Sequence, residues 1–224
     1  MRNHYNTSPS EYEALRDGYV ADRRVAIVSE ALRRCGTAPQ VVLELGCGSG
    51  KLTGRLAALF PGCRFTGLDV DERMVAYACA TYRAPNLLFA LRDATSAAGL
   101  PPCEFMYSVD LLHHITDQLG CLFAARRALP TGGHWLLLEP NILNPTVFLA
   151  QERMRRAGLG EDHLRPWVVE PLMRRAGFAI AAKRYAFSFP SHWRRLPAAL
   201  RWLERGAERL PLAAGNVIYL LRGC

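Results

Sequence analysis

Val41-Val42-Leu43-Glu44-Leu45-Gly46-Cys47-Gly48-Ser49-Gly50 is the stretch that decides the fold. Five mostly branched or apolar residues make a buried strand, three alternate glycines follow at once, and an amphipathic segment begins at Lys51. Strand, glycine turn and helix in direct succession place the turn at the carboxyl edge of an open α/β sheet. Backbone can approach a ligand closely there because Cβ atoms are missing, and the next helix offers free N–H groups. Two nucleotide loops fail against the register. A dinucleotide fingerprint requires G-x-G-x-x-G, but counting from Gly46 puts Lys51 at the third glycine and counting from Gly48 puts Thr53 there. A phosphate loop requires G-x-x-x-x-G-K-[ST], whereas Gly46 to Gly50 is one residue too short and Leu52 follows Lys51. Lys51 is accordingly expected to be a solvated helix residue.

Outward from the loop, short β-branched or leucine-rich runs alternate with longer amphipathic segments, the pattern of βαβ units around a parallel sheet. Strands are expected over 41–45, 64–69, 87–91, 105–109, 134–139, 178–187 and 216–222, with helices over 51–60, 72–82 and 119–129 between them. Ahead of the first strand, 9–17 and 20–34 are helical in pattern and form a cap. After the fifth, 145–157 and 166–175 are helical, the second stopped by Gly177 where a left-handed residue is cheap for glycine. A last segment, 191–210, carries Trp193, Leu196, Leu200, Leu203, Ala207 and Leu210 on one helical face, which is expected to pack on the sheet. The fold class is α/β: seven strands in a mostly parallel, doubly wound sheet, helices on both faces, an N-terminal helical cap and an antiparallel last strand.

The 224 residues, half of them hydrophobic, suit one domain with one core. No apolar run approaches the roughly 20 residues of a membrane span. The N-terminus is polar and lacks the apolar region of a secretory signal, and the seven cysteines are scattered without a C-x-x-C pair. A disulfide framework, a zinc knuckle and export are therefore not expected; a reducing cytoplasm is. Lys51 and Lys183 are the only lysines, so arginine supplies nearly all of the +8 charge. Abundant arginine and alanine match the codon bias of a GC-rich genome, which accounts for the charge more simply than an acidic partner does.

With an acid two residues ahead of the first glycine, the loop resembles motif I of the class I S-adenosylmethionine (SAM)-dependent methyltransferases, which have a Rossmann-like fold. The resemblance spans residues 41–115 in four ordered elements. It implies that Glu44, Gly46, Cys47, Gly48 and Gly50 wrap the methionine and ribose portion of SAM. It implies also that Asp69, at the end of the second strand, accepts the ribose hydroxyls, since two carboxylate oxygens can take two O–H donors. Asp71 fits the humbler role of capping the next helix. Asp93 in Arg92-Asp93-Ala94 matches the acid that accepts the adenine amino group, although a solvated loop acid would look the same. Val70, Met74 and Ser108 complete the implied cofactor contacts, and S-adenosylhomocysteine is the implied product. On this reading 1–224 is a single methyltransferase domain: 1–36 a helical cap, 41–139 the cofactor-binding core, and 140–224 the acceptor-side helices and last two strands.

Methyl transfer from a sulfonium is an in-line displacement, so the protein mainly aligns nucleophile, methyl and sulfur. A hydroxyl or acidic carbon would need a base, and Asp110, His113, His114 and Glu139 stand at the carboxyl ends of strands four and five to serve. His113 and His114 are adjacent, point in different directions, and equally suit a buried residue beside a helix cap. Tyr5, Tyr12 and Arg16 of the cap, with Asn141 and Asn144, are candidates to line the acceptor pocket; Asn is also a common turn residue. No metal is expected, because the adjacent Asp-Asn pair of catechol-type enzymes is missing. The [DNS]-P-P-[YF] signature of base and glutamine methylation is replaced by Ser108-Val109-Asp110-Leu111, and basic residues do not interleave with aromatics, so nucleic acid is not expected. The expected partner is a small-molecule acceptor, in O-, N- or C-methylation of specialised metabolism. A quinol or lipid-linked acceptor at a membrane, reached by peripheral contact through 191–210, and a non-catalytic SAM-binding module are the alternatives. Oligomeric state is left open.

Overall fold

The computed structural model describes residues 7–15, 17–35, 39–96, 99–158, 162–188 and 197–224. Its centre is a seven-stranded sheet of β1 (Val41–Leu45), β2 (Arg64–Asp69), β3 (Leu87–Leu91), β4 (Phe105–Val109), β5 (His134–Pro140), β6 (Phe178–Ala186) and β7 (Asn216–Gly223). The spatial order is β3-β2-β1-β4-β5-β7-β6. Pairings among β1 to β5 are parallel, and β7 runs antiparallel between β5 and β6.

Period-two alternation assigns the strand residues to two faces, both covered, which is why the strands are continuously apolar in sequence. On one face Leu43, Leu45, Met106, Trp135, Leu137, Tyr219 and Leu221 pack with Cys121, Leu122 and Ala125 of α5 (Gln118–Ala128) and with Val169 and Met173 of α7 (Pro166–Arg175). On the other, Val42, Phe65, Phe105, Tyr107 and Leu138 pack with Val25, Val28 and Leu32 of α2 (Tyr19–Arg34) and Leu56 of α3 (Lys51–Leu59). A smaller cluster seats α4 (Glu72–Thr81) through Val75 and Ala78 on Cys47 and Phe89. The cap is completed by α1 (Pro9–Leu15), and α6 (Pro145–Arg156) follows β5. Strand order reverses between β1 and β4, so the loops after these two strands part and leave a crevice at the carboxyl edge.

One expectation fails. The segment before β7 does form a helix, α8 (Ala198–Ala207), but the expected apolar stripe is not buried on the sheet: Leu203 and, just beyond the helix, Leu210 are exposed, and among the described side chains of α8 the buried one is Glu204. Glu204 is drawn inward by the Tyr19 hydroxyl and the Arg23 guanidinium of α2, which fixes the helix's rotation. Trp193 and Leu196 lie outside the described residues.

Candidate functional site

The glycine loop is lashed to β2 by backbone hydrogen bonds. Gly46 N and Cys47 N both donate to the Leu68 carbonyl, at 2.8 and 2.9 Å. Gly46 (φ +72°) and Gly48 (φ +52°) lie in the left-handed region, where a Cβ is strained. A Cβ at Gly46 would stand 2.7 Å from Leu111 Cδ1, and one at Gly48 3.1 Å from Tyr12 Cε1. The first glycine thus admits the loop after β4, and the second admits the ring of α1 that covers the turn. Gly50 caps α3 at its N-terminus.

Asp69 holds this turn in shape. Its Oδ2 accepts from Gly48 N at 2.7 Å and its Oδ1 from Asp71 N at 2.9 Å. Burial pushes the carboxyl above its ordinary range, while the backbone donors of Asp71, Gly48 and Val70 oppose that shift. Each oxygen keeps a further lone pair, so two hydroxyl donors could still be accepted. Asp71 caps α4 by accepting from Arg73 N.

Beneath the loop, Glu44 is buried and accepts from the Tyr107 hydroxyl at 3.0 Å and from the Thr53 hydroxyl. Burial pushes its carboxyl up to about 8, so at neutral pH it is predominantly protonated. Above it opens a cleft bounded by Tyr12, Arg24, Glu44, Cys47, Ser49 and Val109 among others. The cap is tied to α3 at the cleft's rim by Lys51–Asp17 at 2.9 Å and Arg55–Asp22 at 2.8 Å. Lys51 is therefore an ion-paired, partly buried residue rather than a freely solvated one.

The loop after β4 forms the opposite wall. Asp110 adopts φ +53°, an uncommon conformation for a non-glycine residue. Its carboxylate pairs with Arg24 and accepts from Asn216 Nδ2 at 3.4 Å. Glu139 is fully buried and organises the next turn: Oε1 accepts from Leu111 N at 3.2 Å and Leu112 N at 2.8 Å, and Oε2 lies 2.7 Å from His113 Nδ1. A carboxylate gathering two backbone N–H groups and an imidazole fixes the orientation of the ring. The His113 and His114 rings lie 3.9 Å apart; His113 is buried and His114 half-buried.

Of the other residues singled out in the sequence, Ser108, Asn141 and Asn144 have hydrogen-bond partners within the fold. Ser108 is buried, and its hydroxyl accepts from Trp135 Nε1 at 3.2 Å. Asn141 donates both amide hydrogens, to Pro211 O at 2.6 Å and Ala214 O at 2.8 Å, and Asn144 caps α6 by accepting from Thr146 N. Met74 and Ala94 are buried, Val70 and Arg92 exposed, and the exposed Asp93 accepts from Thr95 N and its hydroxyl, each at 2.8 Å. Tyr5 and Arg16 lie outside the described residues. Sequence reading missed Arg24, Thr53 and Tyr107. Arg24 carries no local signal, since its partner Asp110 is 86 positions away. Among the described residues, no group of three or more His, Cys, Asp or Glu side chains is placed to hold a metal ion.

The family described as "Methyltransferase domain" matches residues 42–133. A trans-aconitate 2-methyltransferase of Methylobacterium nodulans is 29% identical over 181 residues, which cover 80% of this chain and 64% of that protein. A malonyl-[acyl-carrier protein] O-methyltransferase of Hahella chejuensis is 30% identical over 114 residues, 49% of this chain and 39% of that one. The chain thus spans less than two thirds of either curated relative. Among solved structures, N-methyltransferase NodS from Bradyrhizobium japonicum, in complex with S-adenosyl-L-homocysteine, superimposes with a TM-score of 0.64 at 17% identity, covering 92% of this chain and 88% of NodS. At that identity the likeness concerns the fold.

Proposed function

We propose that the protein is a class I, SAM-dependent methyltransferase that transfers the methyl group of SAM to a small carboxylate-bearing acceptor, a reading supported by the match of residues 42–133 to the methyltransferase-domain family. The observation that carries the cofactor half is the Asp69 clasp: a carboxylate that shapes the glycine turn through Gly48 N and retains lone pairs for two ribose hydroxyls. Gly46, Gly48 and Glu44 would hold the methionine portion, Glu44 being the acidic group in the cleft. When bound, SAM supplies an electrophilic methyl on sulfur. What the chain contributes is alignment: Tyr12 covers the turn, and the Glu139-braced loop fixes the wall from which an acceptor would approach.

Two observations support a carboxylate acceptor. Both curated relatives are named for acids or their acyl groups, trans-aconitate and malonyl. Arg24 Nε is buried at the cleft wall with no hydrogen-bond partner among the described residues, and a guanidinium edge suits a carboxylate. A carboxylate attacks as an anion and needs no base. The His113–Glu139 pair favours a second reading, a hydroxyl acceptor whose proton His113 removes.

Calorimetry with S-adenosylhomocysteine tests the cofactor, and mass spectrometry of a carboxylic-acid and phenol panel incubated with SAM tests the acceptor. Binding that is lost in Asp69→Ala, with products heavier by one methylene, supports the proposal; no binding by the wild type overturns it. The two acceptor readings separate on pH. With SAM saturating and a carboxylate acceptor, kcat/KM for the acceptor stays flat through the histidine range and survives His113→Gln, whereas a hydroxyl acceptor loses both properties.

A further inference from the structure

We propose that the outward face of α8 and the turn after it dock on the surface of an anionic lipid bilayer. Whichever acceptor class proves right, this docking is a separate property. Trp202 is 73% exposed, Leu203 51%, Leu210 60% and Leu212 67%, and these four large apolar side chains lie within eleven consecutive residues. Exposed Arg205 on the helix and exposed Arg209 in the turn after it lie among them. An apolar edge carrying tryptophan and leucine beside arginines is the composition of a helix that lies in a membrane interface.

The charge arrangement selects the partner. Only two carboxylates occur in 198–212, Glu204 and Glu208, and both turn inward onto α2. Glu204 is fully buried beside the Tyr19 hydroxyl and lies 3.3 Å from Arg23 NH1. Glu208 pairs with Arg23 NH2 at 2.6 Å and accepts from Phe187 N at 3.1 Å. With its acids committed, the outward face presents arginine as its only charge among the described residues, and an anionic surface complements it. A second copy complements it less well: a two-fold interface on this face would bring together two sets of arginines with no carboxylate to meet them, since Glu204 and Glu208 are committed to Arg23. Among the described residues no helix, α8 included, is long and apolar enough to cross a membrane.

Position ties the face to the site. Asn141, directly after β5, clasps the turn at Pro211 and Ala214, so Leu210 and Leu212 are held at the carboxyl edge of the sheet. That edge carries the glycine loop and the cleft. Docking would set the cleft close to the lipid headgroups and shorten the path of an amphiphilic acceptor.

Co-sedimentation of the full chain with phosphatidylglycerol-containing and pure phosphatidylcholine vesicles at low salt tests the proposal. Retention is expected on the anionic vesicles alone. The double variant Trp202→Glu/Leu203→Glu and the double variant Arg205→Glu/Arg209→Glu should each weaken it by on the order of tenfold or more, leaving the affinity for S-adenosylhomocysteine unchanged. Hydrogen exchange on the wild type, with and without anionic vesicles, reads the same contact without a variant: protection should rise in α8 and the following turn. Failure of the wild type to sediment, equal retention by the variants, or a wild-type dimer in light scattering that the variants dissociate would overturn it.

Discussion

On the proposed reading, Asp69 would serve both structure and binding with one side chain. Its two oxygens fix Gly48 and Asp71 backbone, so Asp69→Asn is not a silent isostere: it replaces one acceptor by a donor facing an N–H and removes a charge that hydroxyl donors would use. Loss of charged hydrogen bonds worth roughly 1.5–3 kcal/mol predicts at least tenfold weaker binding of S-adenosylhomocysteine, measured by titration calorimetry. Glu44 carries a prediction of opposite kind. Its folded carboxyl is pushed up by burial to about 8 from an ordinary 4.5. Between those values the folded chain holds a proton that the unfolded chain has released. Stability of the ligand-free protein should therefore fall as pH rises from about 4.5 to 8, by at most roughly 1.4 kcal/mol per pH unit, and level off above. Urea midpoints across that range should slope for the wild type and flatten in Glu44→Gln. A ligand that brings a cationic amine to the cleft would draw the same proton off, so binding heats at neutral pH should differ between buffers of different ionisation enthalpy.

At the scale of elements, what sequence reveals depends on how far its determinants reach. The seven strands were legible because a doubly covered sheet demands continuous apolar runs such as 41–45 and 134–139, and the turn at Gly46 to Gly50 because only glycine tolerates its backbone. The Asp71 and Asn144 caps of α4 and α6 are local too. The rotation of α8 was not legible. Its apolar periodicity at Leu200, Leu203, Ala207 and Leu210 points to a buried stripe, yet Glu204 is set inward by Arg23, 181 positions away, and no local pattern encodes that pair. The same holds for Arg24 with Asp110 and for the clasp that Asn141 throws over the turn after α8. Asn141→Ala would strand the carbonyls of Pro211 and Ala214 without their donor. The expected cost is about 2 kcal/mol, a fall in Tm of roughly 4–8 °C for a chain of this size. Scanning calorimetry reads the fall, and hydrogen exchange should locate the loosening at 210–216. Unchanged exchange there would mean that the clasp is not what holds the turn.

Across the whole molecule, the site is completed by parts of unequal stability. The glycine loop and the Glu139-braced turn rest on the central strands, whereas α1 is seven residues long, too short to persist by its own helical preference. Its ties to the core include the Tyr12 ring against Gly48, a hydrogen bond between Glu13 and the Tyr82 side chain, and the ion pair between Asp17, just beyond α1, and Lys51, with Asp17 61% exposed. Exposed pairs of this kind contribute roughly 0–1 kcal/mol. The cap should therefore open locally at little cost in the ligand-free protein and close when the cleft is filled. At a ligand concentration of about 100 Kd, linkage supplies about 2.7 kcal/mol, which corresponds to a rise in Tm of roughly 5–10 °C. S-adenosylhomocysteine should produce that rise in the wild type, and none at the same concentration in Asp69→Ala. The distribution of protection is the sharper measurement. Exchange should slow most in α1 and the first turns of α2, less in the loop after β4, and least in β6, which sits at the sheet edge remote from the cleft. Tyr12→Ala should retain the loop's protection while losing that of α1, because it removes the ring that joins them. Protection gained evenly through the sheet, with α1 unaffected, would show that the cap takes no part in holding the cofactor.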